Sequence, residues 1–214
     1  MRLCALVMFC LASSVAFARH HQLAAQDPES GRFDYYLLSL SWSPTYCLTH
    51  PYDRAQCASK GYGFVLHGLW PQYDSGGYPR NCADRPLPAD AEAFAETLYP
   101  STKLVQHEWA EHGTCSGLDA MTYFHTADRA TAVVRIPASF EAPLTTLLMS
   151  GEQIASVFRA ANPTLTEDSL TVVCGRGQLT EVRICLDRAL AVRSCGHGVR
   201  SSCPPGPVQI RTAR

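Results

Sequence analysis

Two short segments of this sequence carry the side chains best suited to moving protons. His67 lies in FVLHGLWP, which spans Phe64 to Pro71, and His107 and His112 lie in HEWAEHGTC, which spans residues 107–115. Imidazole is the side chain whose unperturbed pKa allows it both to accept and to donate a proton near neutral pH. The two segments therefore predict a site of acid–base chemistry.

The second segment predicts a helix with a polar arc. At 100° per residue, and measured from Glu108, His112 lies at about 40° and Glu111 at about −60°. His107 lies at about −100°, while Trp109 falls on the opposite side and can anchor the helix in a core. The arc is a candidate wall of an active site, and a merely solvated helix face is the alternative interpretation.

The same histidines raise the possibility of a metal site, which their spacing disfavours. A zincin helix places its ligands four residues apart, whereas His107 and His112 are five apart, or about 140° apart on a regular helix. A metallohydrolase that uses His67, His107, His112 or Cys115 is therefore the least favoured function. Cys115 is better explained as half of a disulfide.

His67 has a different setting, because its neighbours in the chain are apolar. A histidine in such a strand is either a hydrogen-bonded core residue or a group at a site. Gly68, Trp70 and Pro71 follow directly. A strand end with a glycine, a proline and an aromatic ring is suited to holding a flat ligand, which favours the site.

Composition sets the class of protein. The chain has 214 residues, 46% hydrophobic and 17% charged, which excludes disorder, collagen and coiled coil and favours one domain. The formal net charge of −1 gives no global attraction to nucleic acid, so a polyanionic partner must be held by a local site.

The N-terminus predicts export. Residues 1–18 have the order of a secretory signal peptide, with an apolar run from Leu3 to Ala12 and cleavage after Ala18. Residues 19–32 are expected to form a flexible lead, and residues 33–214 a single domain. The signal would remove two of the ten cysteines, and the remaining eight predict four disulfides in a periplasmic or secreted protein without a membrane span.

Local patterns predict strands at both ends of the domain and helices between them, which indicates one α+β domain. The predicted strands are 36–42, 62–70, 169–174, 179–186 and 189–193, and a loop is expected between Cys47 and Cys57. The predicted helices are 90–98, 101–112, 119–132 and one that begins with a capping box at Ser150 to Gln153.

The two histidine segments resemble the active-site segments of the T2 ribonucleases. LSLSWSPTYC, Leu38 to Cys47, is similar to that family's entry strand, and the likeness continues through CGRGQLTEVRICLD in the tail. The bacterial periplasmic or secreted members are the most similar. The resemblance implies an α+β fold with a central antiparallel sheet, helices packed on it and stabilising disulfides. It also implies cleavage of single-stranded RNA through a 2′,3′-cyclic phosphate, without metal or cofactor.

The resemblance also implies roles for individual residues. His112 would be the general base and His67 the general acid, with Glu108 as the third catalytic residue, stabilising the phosphorane. His107 would bind the phosphate. RNA would be the substrate, and DNA, which lacks the 2′-hydroxyl, would not react.

Three further residues match positions that contact the base in the family. Trp70 and Tyr78 would stack on an unpaired base, although packing in the core or in a loop is the alternative for both. Gln72 stands where some relatives carry an aspartate that recognises the base, so no adenine preference is expected.

The protein is expected to be a monomer.

One position departs from the family. A lysine usually precedes the last histidine of the second segment, and here that residue is Glu111. This leaves a weaker enzyme, a cation supplied by another residue such as Arg80, or a glutamate turned to solvent. A second function therefore stays open, namely a catalytically impaired RNA-binding protein on the same scaffold.

The family pattern and the short loops in the chain together predict the pairing of the eight cysteines. The expected disulfides are Cys47–Cys57, Cys82–Cys115, Cys174–Cys203 and Cys185–Cys195. Of these, Cys82–Cys115 would tie the loop after the first histidine segment to the end of the second.

Overall fold

The computed structural model describes residues 29–58, 60–141 and 143–213. The predicted signal peptide and most of the predicted flexible lead lie outside these residues. The last residues of the lead form a turn, in which Ser30 Oγ donates to the carbonyl of Thr114 at 2.8 Å and Gly31 N donates to Cys115 O at 2.9 Å. This turn, which comes before Phe33, is therefore joined to the end of the second histidine segment.

The described residues form six strands, seven α-helices and one 3-10 helix. The strands are β1 Tyr35–Trp42, β2 Phe64–Gln72, β3 Leu147–Ser150, β4 Leu170–Gly175, β5 Gln178–Leu186 and β6 Pro207–Ile210. The α-helices are α1 Ser43–Thr49, α2 Arg54–Cys57, α3 Ala89–Ala95, α4 Thr102–Glu111, α5 Ala120–Ala132, α6 Ala138–Glu141 and α7 Gly151–Ala161, and the 3-10 helix is Gly113–Cys115.

The strands form one sheet, in which β1 lies between β2 and β5. β1 is antiparallel to both neighbours, β4 is antiparallel to β5 and β3 to β6. Within the described residues, the one parallel pairing joins β5 to β6 at Gln178 and Gln209. The predicted α+β fold with a central, mainly antiparallel sheet is confirmed.

The two faces of β1 serve different purposes. Tyr36, Leu38, Leu40 and Trp42 point into the main core, as alternation along a strand requires, and helices α4, α5 and α7 contribute buried side chains to the same core. Tyr35 and Leu37 point to the other face, where they form a small cluster with Cys185, and Trp70 packs against it. Trp70 therefore lies on the face opposite the main core.

A β-bulge in β2 sets the position of His67. Ser39 pairs with Gly68, and the next residue of β1, Leu40, pairs with Leu66, so His67 is the extra residue between two pairs. A bulge bends the strand locally and redirects the side chain of the extra residue. His67 consequently points to the face that also carries Trp70.

The structure contains four disulfides in its described part, and they are the four predicted pairs: Cys47–Cys57, Cys82–Cys115, Cys174–Cys203 and Cys185–Cys195. The capping box is also present, since Ser150 and Gln153 bond reciprocally at the start of α7. No helix in the described part of the chain is long and apolar enough to span a membrane.

Some local predictions are wrong. The expected loop from Cys47 to Cys57 contains the end of α1 and all of α2. The expected strand 189–193 is reduced to one bridge between Leu186 and Val192, and the short strands β3 and β6 were not predicted. β3 and β6 pair with each other across a long separation in the chain, which a local pattern does not record.

Candidate active site

Helix α4 ends earlier than its sequence predicts, and this changes the site. Ser101 caps its start, and the helix stops at Glu111, so that His112 has φ −121° and ψ −43°. Because His112 is no longer helical, the 140° separation from His107 does not apply, and the two rings lie 6.3 Å apart. Gly113 follows with no room for a side chain, since a Cβ there would collide with the Trp109 ring.

The early helix end also corrects the argument against a metal. Among the described residues, His107, Glu108 and His112 each offer a ligand atom, and these atoms all lie within 4.8 Å of one another. The spacing argument against a metal assumed a regular helix through His112, and it therefore does not apply to these two imidazoles. Cys115 is excluded from such a group because it is bonded to Cys82.

Glu108 connects α4 to β2. Trp70 Nε1 donates to Glu108 Oε2 at 2.8 Å, which fixes the indole relative to the carboxyl. The two elements approach so closely that a Cβ on Gly68 would collide with both Glu108 Oε2 and Trp70 Nε1. Glycine is thus required after His67 because the histidine segment lies directly against this hydrogen bond.

The second oxygen of Glu108 has no partner among the described residues. The side chain is fully buried, and its Oε1 makes no hydrogen bond. Burial raises the pKa of Glu108 from 4.5 to about 8, although His67 and the Trp70 hydrogen bond pull it down. The carboxyl is therefore mainly protonated at neutral pH and can donate a hydrogen bond.

His67 is held by a residue that the sequence analysis missed. Its Nδ1 lies 2.8 Å from Glu181 Oε1, and Glu181 belongs to β5, 114 positions further along the chain. Arg183, two residues after Glu181, donates from Nε to Glu181 Oε2 at 2.7 Å, and its guanidinium lies over the Trp70 ring at 5.3 Å. Two charged side chains at alternate positions of a buried strand were the signal available in the sequence.

The two central histidines have opposite protonation tendencies. Burial lowers the pKa of His67, but the hydrogen bond to Glu181 and the negative charge of Glu181 outweigh it, and the net change is upward. Burial lowers the pKa of His112 to about 3, assisted by His107 and His67. One imidazole thus favours the charged form and the other the neutral form.

The two aromatic residues predicted to stack on a base, Trp70 and Tyr78, have different surroundings in the structure. Trp70 contacts both histidine rings, with centroid distances of 5.0 Å to His67 and 5.2 Å to His112. Tyr78 is 44% exposed and lies 5.7 Å from the His112 ring. Gln72 is buried, and its amide donates to the Pro71 carbonyl. Its contact with a base stays a prediction.

The side chain of Glu111 is partly exposed and is hydrogen-bonded to Asn81. Its Oε2 accepts from Asn81 Nδ2 at 2.7 Å, and its carbonyl accepts from Asn81 N at 2.9 Å. Its negative charge still helps to raise the pKa of Glu108. Arg80, the cation suggested by the sequence, is exposed, whereas Arg183 contacts Glu181 and the Trp70 ring.

In this α+β fold one imidazole lies against a carboxylate and another is buried beside a protonated carboxyl, an arrangement that can serve general acid–base chemistry. The chain belongs to the Ribonuclease T2 family, whose family model matches residues 33–195.

Named relatives agree with this assignment. A ribonuclease of Aeromonas hydrophila is 54% identical over 100 residues, which cover 46% of this chain and 45% of that protein. A probable ribonuclease of Haemophilus influenzae is 31% identical over 178 residues, covering 76% of this chain and 61% of that protein. The chain thus spans about half of one relative and three fifths of the other.

Among solved structures, an RNase-related protein from Calystegia sepium shares the fold. The TM-score is 0.69 at 24% sequence identity, and the match covers 85% of this chain and 98% of that one. This likeness confirms the architecture of the sheet and its helices.

Proposed function

We propose that this chain is an endoribonuclease that cleaves single-stranded RNA by transphosphorylation. His112 takes the proton of the ribose 2′-hydroxyl, and the 2′-oxygen attacks the adjacent phosphorus. The bond from phosphorus to the 5′-oxygen breaks as His67 protonates that oxygen, which leaves a 2′,3′-cyclic phosphate. The observation that carries this proposal is the pair of imidazoles beside Trp70. His67 is hydrogen-bonded to a carboxylate, whereas His112 is buried and its Nδ1 has no hydrogen-bond partner among the described residues.

Two neighbours complete the proposed chemistry. The protonated Glu108 donates from its unpartnered oxygen to a nonbridging oxygen of the phosphorane, where negative charge develops. His107, exposed beside it, binds the phosphate. Trp70 and Tyr78 border the same cluster and are proposed to contact the base.

The reaction needs no activated water, because the substrate supplies its own nucleophile, and so it is proposed to proceed without a metal or other cofactor. A metal-dependent hydrolase is the second candidate, and the convergence of His107, Glu108 and His112 favours it. The impaired RNA-binding protein is the third, and the anionic Glu111 favours it. The three candidates differ in their response to chelation and in whether bound RNA is cut.

The test uses a DNA oligonucleotide that contains one ribonucleotide, together with its all-DNA counterpart, each incubated in excess EDTA. The proposal requires a single cut after the ribonucleotide and a 2′,3′-cyclic terminus in the first product, observed by mass spectrometry. The all-DNA strand must stay intact. Loss of cleavage in EDTA would favour the metal-dependent hydrolase, and binding without cleavage would favour the impaired protein.

We also propose that the protein acts outside the cytoplasm, in the periplasm or after secretion. The four disulfides support this location, because cytosolic thiols are kept reduced. Fractionation of a bacterial host that expresses the full chain tests it, and recovery of active protein only from the cytosol would contradict it.

A further inference from the structure

The strand β5 brings an unusual pair of charges to the site. Glu181 and Arg183 alternate with Val182 and Ile184, which are fully buried in the main core, so the two charged side chains share the opposite face. That face also carries Ser39 of β1, which pairs with Arg183 in the sheet. Charges on an inner strand are costly to bury and are kept where they are paired.

Three residues contact the Glu181 carboxylate: Ser39, Arg183 and His67. Ser39 Oγ donates to its Oε2 at 3.2 Å, Arg183 Nε donates to the same oxygen at 2.7 Å, and Arg183 Nη2 lies 2.6 Å from it. The other oxygen, Oε1, is left for His67 Nδ1. Ser39 and Arg183 therefore hold one carboxylate oxygen, and the other contacts the imidazole.

We propose that Glu181 is the positioning residue of the general acid His67, and that Arg183 holds Glu181 in place for this task. Glu181 accepts the Nδ1 hydrogen, which fixes the ring orientation and leaves Nε2 to carry the proton that is transferred to the departing 5′-oxygen. The same logic operates where a carboxylate orients a catalytic histidine. This inference rests on the proposed function, since it assigns a partner to the acid of that reaction.

The groups around His67 support this assignment. Glu181 and Arg183 face it from β5, and Glu108 and His112 face it from α4 and its end. Burial and the Arg183 charge lower the pKa of His67, whereas Glu181 raises it through both a hydrogen bond and its charge, and Glu108 adds to the rise. Among the described residues, Glu181 is the carboxylate hydrogen-bonded to the His67 ring, so Glu181 is the anion on which the acid depends.

Glu181 itself stays ionised. Burial raises the pKa of this carboxyl, but the hydrogen bond with His67 and the Arg183 guanidinium lower it to about 2. Arg183 also lies against the Trp70 ring, which limits the positions open to the guanidinium. Removing Arg183 would therefore leave the Glu181 side chain without these hydrogen bonds and without the positive charge beside it.

The experiment compares two substrates in the parent protein and in the Glu181→Gln and Arg183→Lys variants. One substrate is a dinucleotide, whose 5′-oxygen needs a proton to leave. The other is a nucleoside 3′-(4-nitrophenyl phosphate), whose nitrophenolate leaves without one. The matched control is Glu152→Gln, which breaks an exposed pair with Arg159 on α7, and circular dichroism checks that each variant is folded.

We expect kcat/KM of Glu181→Gln on the dinucleotide to fall about 10- to 100-fold, a part of what a general acid contributes. The nitrophenyl substrate should change less than about threefold, because that reaction does not use the acid. Arg183→Lys should show the same pattern with a smaller loss, since lysine keeps the charge but not the fork of donors. Equal losses on both substrates, or no loss on either, would overturn the inference.

Two measurements separate this inference from the proposed function. NMR titration of the His67 ring should show a lower pKa in Glu181→Gln than in the parent, and an unchanged value overturns the inference alone. His67→Ala should lose activity on the dinucleotide and keep most of it on the nitrophenyl substrate. If His67→Ala instead keeps its dinucleotide activity, the proposed function is overturned.

Discussion

The buried carboxyl of Glu108 predicts that the stability of the protein depends on pH in a way that one substitution removes. Its folded-state pKa of about 8 lies above the ordinary 4.5, so the folded protein binds this proton more tightly than the unfolded chain does. The contribution of Glu108 to stability is therefore fully present below about pH 4.5. It is lost as the pH rises to about 8.

The size of this loss follows from the two pKa values of Glu108. The difference between 4.5 and about 8 corresponds to about 5 kcal/mol in total, of which about 1 kcal/mol is lost at pH 5 and about 3 kcal/mol at pH 7. Glu108→Gln cannot ionise. Its amide keeps an oxygen for Trp70 Nε1 and places a donor where the unpartnered Oε1 lies.

The free energy of unfolding of Glu108→Gln, relative to the parent, should therefore increase by about 2 kcal/mol between pH 5 and pH 7. For a chain of this size the difference in Tm should move by about 4 to 8 °C over the same interval. Urea and thermal unfolding followed by circular dichroism at pH 5, 6, 7 and 8 measure it. The control is Glu152→Gln, which removes an exposed carboxylate, and it should show no comparable trend. A constant offset between Glu108→Gln and the parent at every pH would refute a protonated Glu108.

Three further predictions concern activity and the covalent frame. His67→Ala and His112→Ala should each lower dinucleotide turnover by at least about 100-fold, and their losses should not add fully because the two groups act on one transfer; steady-state kinetics of the single and double variants decide this. Replacing Cys82 and Cys115 together by serine should lower the free energy of unfolding by about 4 kcal/mol, since the disulfide spans 33 positions and constrains the unfolded chain; urea titration would show a much smaller change if this idea is wrong. Glu111→Lys should raise kcat/KM near neutral pH about fivefold, because it exchanges a partly exposed anion next to His112 for a cation; an unchanged pH–rate profile would show that the charge at position 111 does not act on the reaction.

The sequence alone determined the features that depend on neighbours in the chain. Alternation predicted β1, and the capping box at Ser150 and Gln153 predicted the start of α7. The two histidine segments identified His67, His107, Glu108 and His112 as the candidate site. These patterns are local because strand and helix periodicity and helix caps depend on a few adjacent residues.

Only the tertiary structure decided how these groups meet and which protons they hold. Helix α4 ends at Glu111, so His112 turns toward His107 and the angle expected from a regular helix fails. The β-bulge places His67 against Glu181, and that pairing joins segments 114 positions apart. No local pattern could supply it, because it follows from the order of strands in the sheet. The protonation of Glu108 likewise follows from its complete burial, and burial is a property of the packed molecule, in which distant side chains together exclude water from one carboxyl.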